Sequence, residues 1–285
     1  MAAGTVAIDL GGLGATFDAG TGKFGIRAGD FRLEELCAGF ETSAGKLSGP
    51  RLAWEILQKR PDGFRVRGSA AGLALWLDFA LLRRDVAGAA LPALDVSARV
   101  TGAKPFSLER IIIMESAASI LAPGWIYIHD RTIMGDAGTM GTQEARSFQS
   151  WHVHAWTDGD RTLFFSFPLR QSFPSHVAGR IELGRIREFS AVCGVQMDGL
   201  DEVQAPTLSL AATSAPHEFI EHYGDMQRAG RGRTDMRRPI AWNSWDYALG
   251  TVSEKYVLDH LDFIDNDPVL GEAVEYIVVD GGWAH

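Results

Sequence analysis

Short apolar or alternating runs, broken by Gly, Pro and Asp, fill the chain from Thr5 to about Leu210. They predict strands at 5–10, 23–27, 51–57, 63–67, 73–82, 95–100, 107–115, 125–129, 151–156, 162–168, 179–183, 189–196 and 206–211. Phe64 and Val66, Trp151, Val153 and Ala155, and Ile181 and Leu183 show the period of two that buries one face of a strand. The stretch 73–82 is apolar almost throughout, which fits a strand covered on both faces or a short helix; it is read as strand. Hairpin turns are expected at Arg60-Pro-Asp-Gly63, Thr157-Asp-Gly-Asp160 and Met197-Asp-Gly199, because Asp-Gly between alternating runs favours tight turns. About a dozen strands with no convincing helix between them predict a mostly β protein, a large antiparallel sandwich. The stretch 131–146 has no periodicity and three glycines, and reads as a long loop, either functional or a plain surface connection.

The pattern changes at Ser214. Ser214 is placed to cap a helix with Pro216 in its first turn, and Phe219, Tyr223 and Met226 recur along one helical face. A stretch rich in Gly and Arg follows. Beyond it come a short apolar strand ending at Trp242-Asn243-Ser244-Trp245, a helix opened by a Thr251-x-x-Glu254 box, and an apolar run over 274–279. Val257, Leu261 and Ile264 give this helix an apolar face, and Asp267-Pro268 stops it. Strand, helix and strand in so few residues predict one parallel βαβ unit. The expected organisation is thus a β-sandwich over 1–213, a helical linker over 214–238, and the βαβ unit over 239–285.

Composition adds little to this picture, but charge does. At 46% hydrophobic and 22% charged, the 285 residues are ordinary for a globular protein. The net charge of −9 is unevenly spread: from Ile240 onward there are nine acids and one base, net −8, leaving 26 bases and 27 acids, net −1, in the other 239 residues. Nothing is basic enough to predict a nucleic-acid partner. Cys37 and Cys193 read as two small buried thiols rather than a disulfide framework. No basic and apolar leader opens the chain, and no apolar run is long enough to cross a bilayer, so the expectation is a cytoplasmic protein without a membrane partner.

Candidate chemistry gathers at the ends of the last two strands. Asp280 directly follows Tyr276-Ile-Val-Val, at the carboxyl end of a parallel strand, where ligands collect in α/β architectures. Its bland alternative is a carboxylate capping the next turn. Sugar rings have apolar C–H faces and hydroxyl edges, so a site for them pairs aromatic platforms with carboxylates; Trp242 and Trp283 beside Asp280 meet that need, or are ordinary core aromatics. His152 and His154 sit on one face of a predicted strand without a third ligand at suitable spacing, so no metal is predicted. Asp259, Asp262 and Asp265 lie at helical spacing and read as a solvated face, not a catalytic dyad. No nucleophile elbow, phosphate loop or dinucleotide glycine pattern is present, and no cofactor is predicted.

Pro239-Ile-Ala-Trp-Asn-Ser-Trp245, followed by Tyr276-Ile-Val-Val-Asp-Gly-Gly-Trp283, resembles the barrel opening of glycoside hydrolase family 36, the melibiase-type α-galactosidases and raffinose synthases. The resemblance covers about fifty residues, with the helix at 217–226 similar to that family's linker helix. It implies a β-supersandwich followed by the first strand, helix and strand of a (β/α)8 TIM barrel. It also implies a sugar-lining role for Trp242 and a hydroxyl-binding role for Asp280. Gly281 stands where the family has a second aspartate, and Ala241 replaces its usual glycine, which puts galactose preference in question. The family's catalytic aspartate pair lies on later strands and has no counterpart in these residues, so no catalytic residue is assigned.

The expected function is that of the N-terminal portion of a retaining α-galactosidase-like glycosidase acting on α-linked sugars, itself inactive. The expected partners are an oligosaccharide or α-galactoside and, through the β-domain, a second copy of the chain. A galactosyltransferase of the raffinose or stachyose synthase type, and a non-catalytic carbohydrate-binding or assembly module, stand as alternatives.

Overall fold

The structure, a computed structural model, describes residues 4–86, 88–116, 118–129, 137–143, 145–168, 171–229, 240–244 and 251–280. The chain divides into two compact units, Met1–Gln227 and Arg228–His285.

The first unit is an antiparallel sandwich whose two sheets share one strand, Ala89–Ser116. In one sheet, Thr5–Leu10, Leu13–Asp18, Lys23–Ala28 and Phe31–Thr42 run in order to the C-terminal half of that shared strand. Arg185–Gln204, Ser175–Glu182 and Arg146–Ser150 continue on its far side. In the other sheet, Ala53–Arg60, Gly63–Ala70 and Leu73–Val86 lead to its N-terminal half. Leu208–Thr213, Thr162–Ser166, Val153–Thr157, Trp125–His129 and Ala137–Gly141 follow. The inner faces meet through aromatics. Phe24 packs edge-on to Phe79 at 5.4 Å, and Trp156 to Phe189 at 5.1 Å. Each ring is essentially buried, and such contacts add to the area term that dominates folding.

The large sandwich expected from the alternating runs is what forms, with more strands than the pattern announced. The stretch 73–82 is a strand, extended to Leu73–Val86, and it alternates: Leu75, Leu77, Phe79 and Leu81 are buried while Trp76 and Asp78 face outward. The predicted runs 95–100 and 107–115 are parts of the single strand Ala89–Ser116, which continues through Gly102 and Pro105. The hairpins at 60–63 and 157–160 form, with Arg60 opposite Gly63 and Thr157 opposite Thr162. The one expected at Met197-Asp-Gly199 does not. Those residues lie inside Arg185–Gln204, where Gln196 at φ 51° and Gly199 at φ 70° make bulges and the register shifts repeatedly. Part of the stretch expected to be loop, 131–146, is likewise strand, because Ala137–Gly141 pairs with Trp125–His129; residues 130–136 lie outside the described residues.

Phe31–Thr42 escapes a period-two reading because its buried Leu33 and Leu36 are three apart, a helical spacing. Glu35 between them takes φ 57° and forms a bulge, so Leu33 faces Ile26 and Leu36 faces Phe24, both inward. The same device recurs at Ile186 and Phe189 around Glu188, φ 54°. The two bulged strands flank the shared strand: Glu115 lies between Cys37 and Ser190, and Ile112 between Gly39 and Val192.

The helix expected after Ser214 runs Pro216–Ala229. It begins one residue later than a Ser214 cap implies. Ala215 supplies the first carbonyl, to Phe219 N, and its own N–H is taken by the Thr213 hydroxyl at 2.9 Å. Phe219 stacks on Phe164 at 4.3 Å, and both it and Tyr223 are buried with Ala93, Ala155 and Ala211, so the helix packs on the outer face of the second sheet. Most of the Gly- and Arg-rich stretch after it lies outside the described residues.

The second unit contains the predicted parallel pair, Ala241–Asn243 beside Tyr276–Val278, joined through the helix Glu254–Asn266 and a short helix Leu270–Ala273. Ser253, not Thr251, caps the long helix, its hydroxyl accepting from Tyr256 N at 3.3 Å. The helix ends at Asn266 with Asp267 as its C-cap, next to Pro268.

Candidate functional site at the ends of the parallel strands

Asp280 follows Tyr276–Val278 by two residues, beyond the carboxyl end of the parallel pair. Asn243 and Ser244 are among the neighbours that hold it. Asn243 Nδ2 donates to Asp280 Oδ2 at 3.3 Å, and the backbone N–H of Asp280 donates to Ser244 Oγ at 3.0 Å. Ser244, fully buried, also donates its own N–H to Val278 O at 3.1 Å, extending the parallel ladder one step. A carboxylate fixed on one side by an amide and through its backbone by a hydroxyl is oriented before any ligand arrives. Its charge and acceptor lone pairs suit a hydroxyl or amide N–H donor.

The sequence pairs Trp242 with Asp280 as platform and acceptor, and the pleat separates them. Register neighbours Asn243 and Val278 share a face with Asp280, whereas Trp242 and Ile277 take the other, because side chains alternate along a strand. The indole of Trp242 lies against the long helix, 5.1 Å from the His260 ring and 6.2 Å from Tyr256. His260 and Tyr256 are themselves 4.1 Å apart, one turn of helix from each other. Asn243 is therefore the strand-end residue that sequence reasoning missed. Its signal was there, a polar side chain at the last position of an apolar strand and in phase with Asp280. Trp245, Gly281 and Trp283 lie outside the described residues. On the helix, Asp259 pairs with Lys255 at 2.7 Å on an exposed face.

His152 and His154 part company in the fold. The strand begins only at Val153, so the alternation that would align them stops between them. His154 is buried, stacked on Phe148 at 4.8 Å, with its Nε2 accepting from Trp156 Nε1 at 2.7 Å. Burial pushes its pKa down to about 3, the backbone of Tyr127 offsetting this only in part, so it is a neutral core group. His152 instead lies 3.5 Å from Gln171 Nε2. Both cysteines are buried free thiols, and burial raises the Cys193 pKa to about 11. No helix among the described residues is long and apolar enough to cross a membrane.

No family model and no curated protein matches the sequence. Solved structures do match in fold. An α-N-acetylgalactosaminidase from Bifidobacterium bifidum, in complex with GalNAc, aligns over 97% of this chain and 51% of its own, with a TM-score of 0.56 at 9% identity. The same enzyme in complex with Gal-NHAc-DNJ aligns over 84% of this chain and 43% of its own, with a TM-score of 0.50 at 9% identity. A putative aldose 1-epimerase from Escherichia coli K12 aligns over 74% of this chain and all of its own, with a TM-score of 0.44 at 8% identity. This chain spans about half the length of the α-N-acetylgalactosaminidase it matches. At such identities the likeness is one of fold.

Proposed function

We propose that this chain forms the β-body and the first strand–helix–strand of a glycosidase of the family 36 type acting on α-linked sugars. In this reading Asp280 accepts a hydrogen bond from a sugar hydroxyl. The observation that carries it is the placement of Asp280 just past the carboxyl end of a parallel strand, braced by Asn243 and Ser244. The motif around Trp242 and Asp280 supports the family. The fold shared with a glycosidase over nearly the whole chain supports the class. Trp242 anchors its strand to the helix through Tyr256 and His260.

Retaining hydrolysis needs a nucleophilic carboxylate and an acid/base carboxylate flanking the scissile bond. Asp280 is neither in this reading, so the 285 residues bind the sugar without cleaving it. The test is calorimetric titration of the chain with nitrophenyl N-acetyl-α-galactosaminide and nitrophenyl α-galactoside, alongside an assay for released nitrophenol. Asp280→Asn is expected to weaken binding about tenfold or more, since a hydrogen bond to a charged group is lost, with no nitrophenol released by either protein. Unchanged binding in Asp280→Asn, or turnover that disappears with Asp280→Ala, overturns the reading.

A further inference from the structure

On the outer face of the second sheet, neighbouring strands bring polar side chains into one cross-strand row. Ser166 stands opposite Ser209, and Ser209 opposite Asp95. Arg84 reaches in from Leu73–Val86, its Nη2 donating to the two Asp95 oxygens at 2.9 and 3.1 Å and to Ser209 Oγ at 3.2 Å. Ser209 Oγ donates in turn to Asp95 Oδ1 at 2.5 Å. Tyr223, from the helix Pro216–Ala229, closes one side, its phenol donating to the carbonyl of Phe167. With Thr207, these residues line a cleft of about 240 Å³.

The chemistry of the row limits what fits. Arg84 and Asp95 are mostly buried side chains that neutralise each other, so the floor carries no net charge. An anion would sit against the Asp95 carboxylate and a cation against the Arg84 guanidinium. An apolar group would cover a charged pair and hydroxyls without replacing their hydration, which is costly. An acceptor carboxylate held by its guanidinium partner, bordered by hydroxyls and by Phe167 and Pro168, complements a ring whose hydroxyls both donate and accept and whose C–H faces are apolar. The cleft is smaller than the roughly 300–1,000 Å³ of drug-sized sites, which sets the ligand at a single ring. Four of the lining side chains stand on sheet strands, the rigid kind of support that holds a polar constellation in place.

We propose that this cleft binds one neutral monosaccharide ring, in a site of the β-body separate from Asp280. The ring's hydroxyls donate to Asp95, which Arg84 holds in place, while Ser209 and Thr207 hold its edge. Binding here does not depend on the reading of Asp280, and the variants that test the two sites differ.

Saturation-transfer NMR and calorimetry on the full chain with D-galactose, N-acetylgalactosamine and D-glucose test it. At least one sugar is expected to bind. Asp95→Asn is expected to weaken that binding about tenfold or more, Thr207→Val to weaken it severalfold, and Asp280→Asn to leave it in place. Circular dichroism and thermal melts establish that each variant folds; should Asp95→Asn unfold, Thr207→Val decides. The proposal is overturned by the absence of binding of all three sugars, by binding that both cleft variants leave unchanged, by loss of all sugar binding in Asp280→Asn, or by galacturonate binding more tightly than galactose.

Discussion

Asn243 Nδ2 reaches Asp280 Oδ2 at 3.3 Å across the carboxyl ends of two parallel strands, joining the last residue of one to the first polar residue beyond the other. The contact holds the carboxylate on the face opposite Trp242. Asn243→Ala is expected to weaken binding of the nitrophenyl glycosides severalfold by freeing the Asp280 side chain. Asn243→Asp is expected to do more harm, because two like charges then meet at hydrogen-bond distance. Calorimetry measures both. Equal affinities for wild type and Asn243→Asp would separate Asn243 from the site.

Acid sensitivity follows from His154. Its folded pKa, about 3, lies below the ordinary value of 6.5, so between these limits the unfolded chain binds a proton that the folded chain refuses. Stability from this residue is therefore full above pH 6.5 and is lost as pH falls toward 3, by up to about 1.4 kcal/mol per unit. His176, whose pKa burial also lowers, acts in the same direction. Urea midpoints between pH 7.5 and 4.5 are expected to fall less steeply in His154→Gln than in wild type. Parallel slopes for the two proteins would exclude His154 as the source.

Leu183 turns the hairpin between Glu182 and Arg185 at φ 48°, followed by Gly184 at φ 72°, with its side chain 86% exposed. A leucine in the left-handed region carries a local cost with no burial to offset it, and two-residue turns of this type favour Asn-Gly. Leu183→Asn is predicted to stabilise the protein by about 1 kcal/mol, raising the melting temperature by roughly 2–4 °C. A lower melting temperature would mean that Leu183 makes a stabilising contact in solution.

The helix Pro216–Ala229 is pinned to the sheet by Phe219, 3% exposed and stacked on Phe164. Phe219→Ala is expected to cost about 3 kcal/mol or more. In native-state hydrogen exchange, the helix amides should lose protection while those of Leu75–Leu81 keep theirs. Loss of protection throughout the sheet would show that the helix and the β-body unfold as one.

Local patterning determined much of this fold. The alternating runs announced a β-sandwich, and the Pro-Asp and Asp-Gly turns at 60–63 and 157–160 closed where their residues favour closure. Phe219 and Tyr223 marked the buried face of a helix, and the apolar runs around Trp242 and Ile277 marked a parallel pair. These features depend on the chemistry of a few adjacent residues. Tertiary structure decided the rest. Leu33 and Leu36, three apart, both face the core because a bulge at Glu35 rephases their strand against Lys23–Ala28, a partner that no local period identifies. Asp198-Gly199 carries a turn signature yet continues a strand, because the shared strand Ala89–Ser116 holds both of its sides. Asn243 rather than Trp242 stands beside Asp280 because the parallel register assigns faces to both strands at once. Register, bulge and face are settled by pairing between distant segments, which a run of neighbouring residues does not encode.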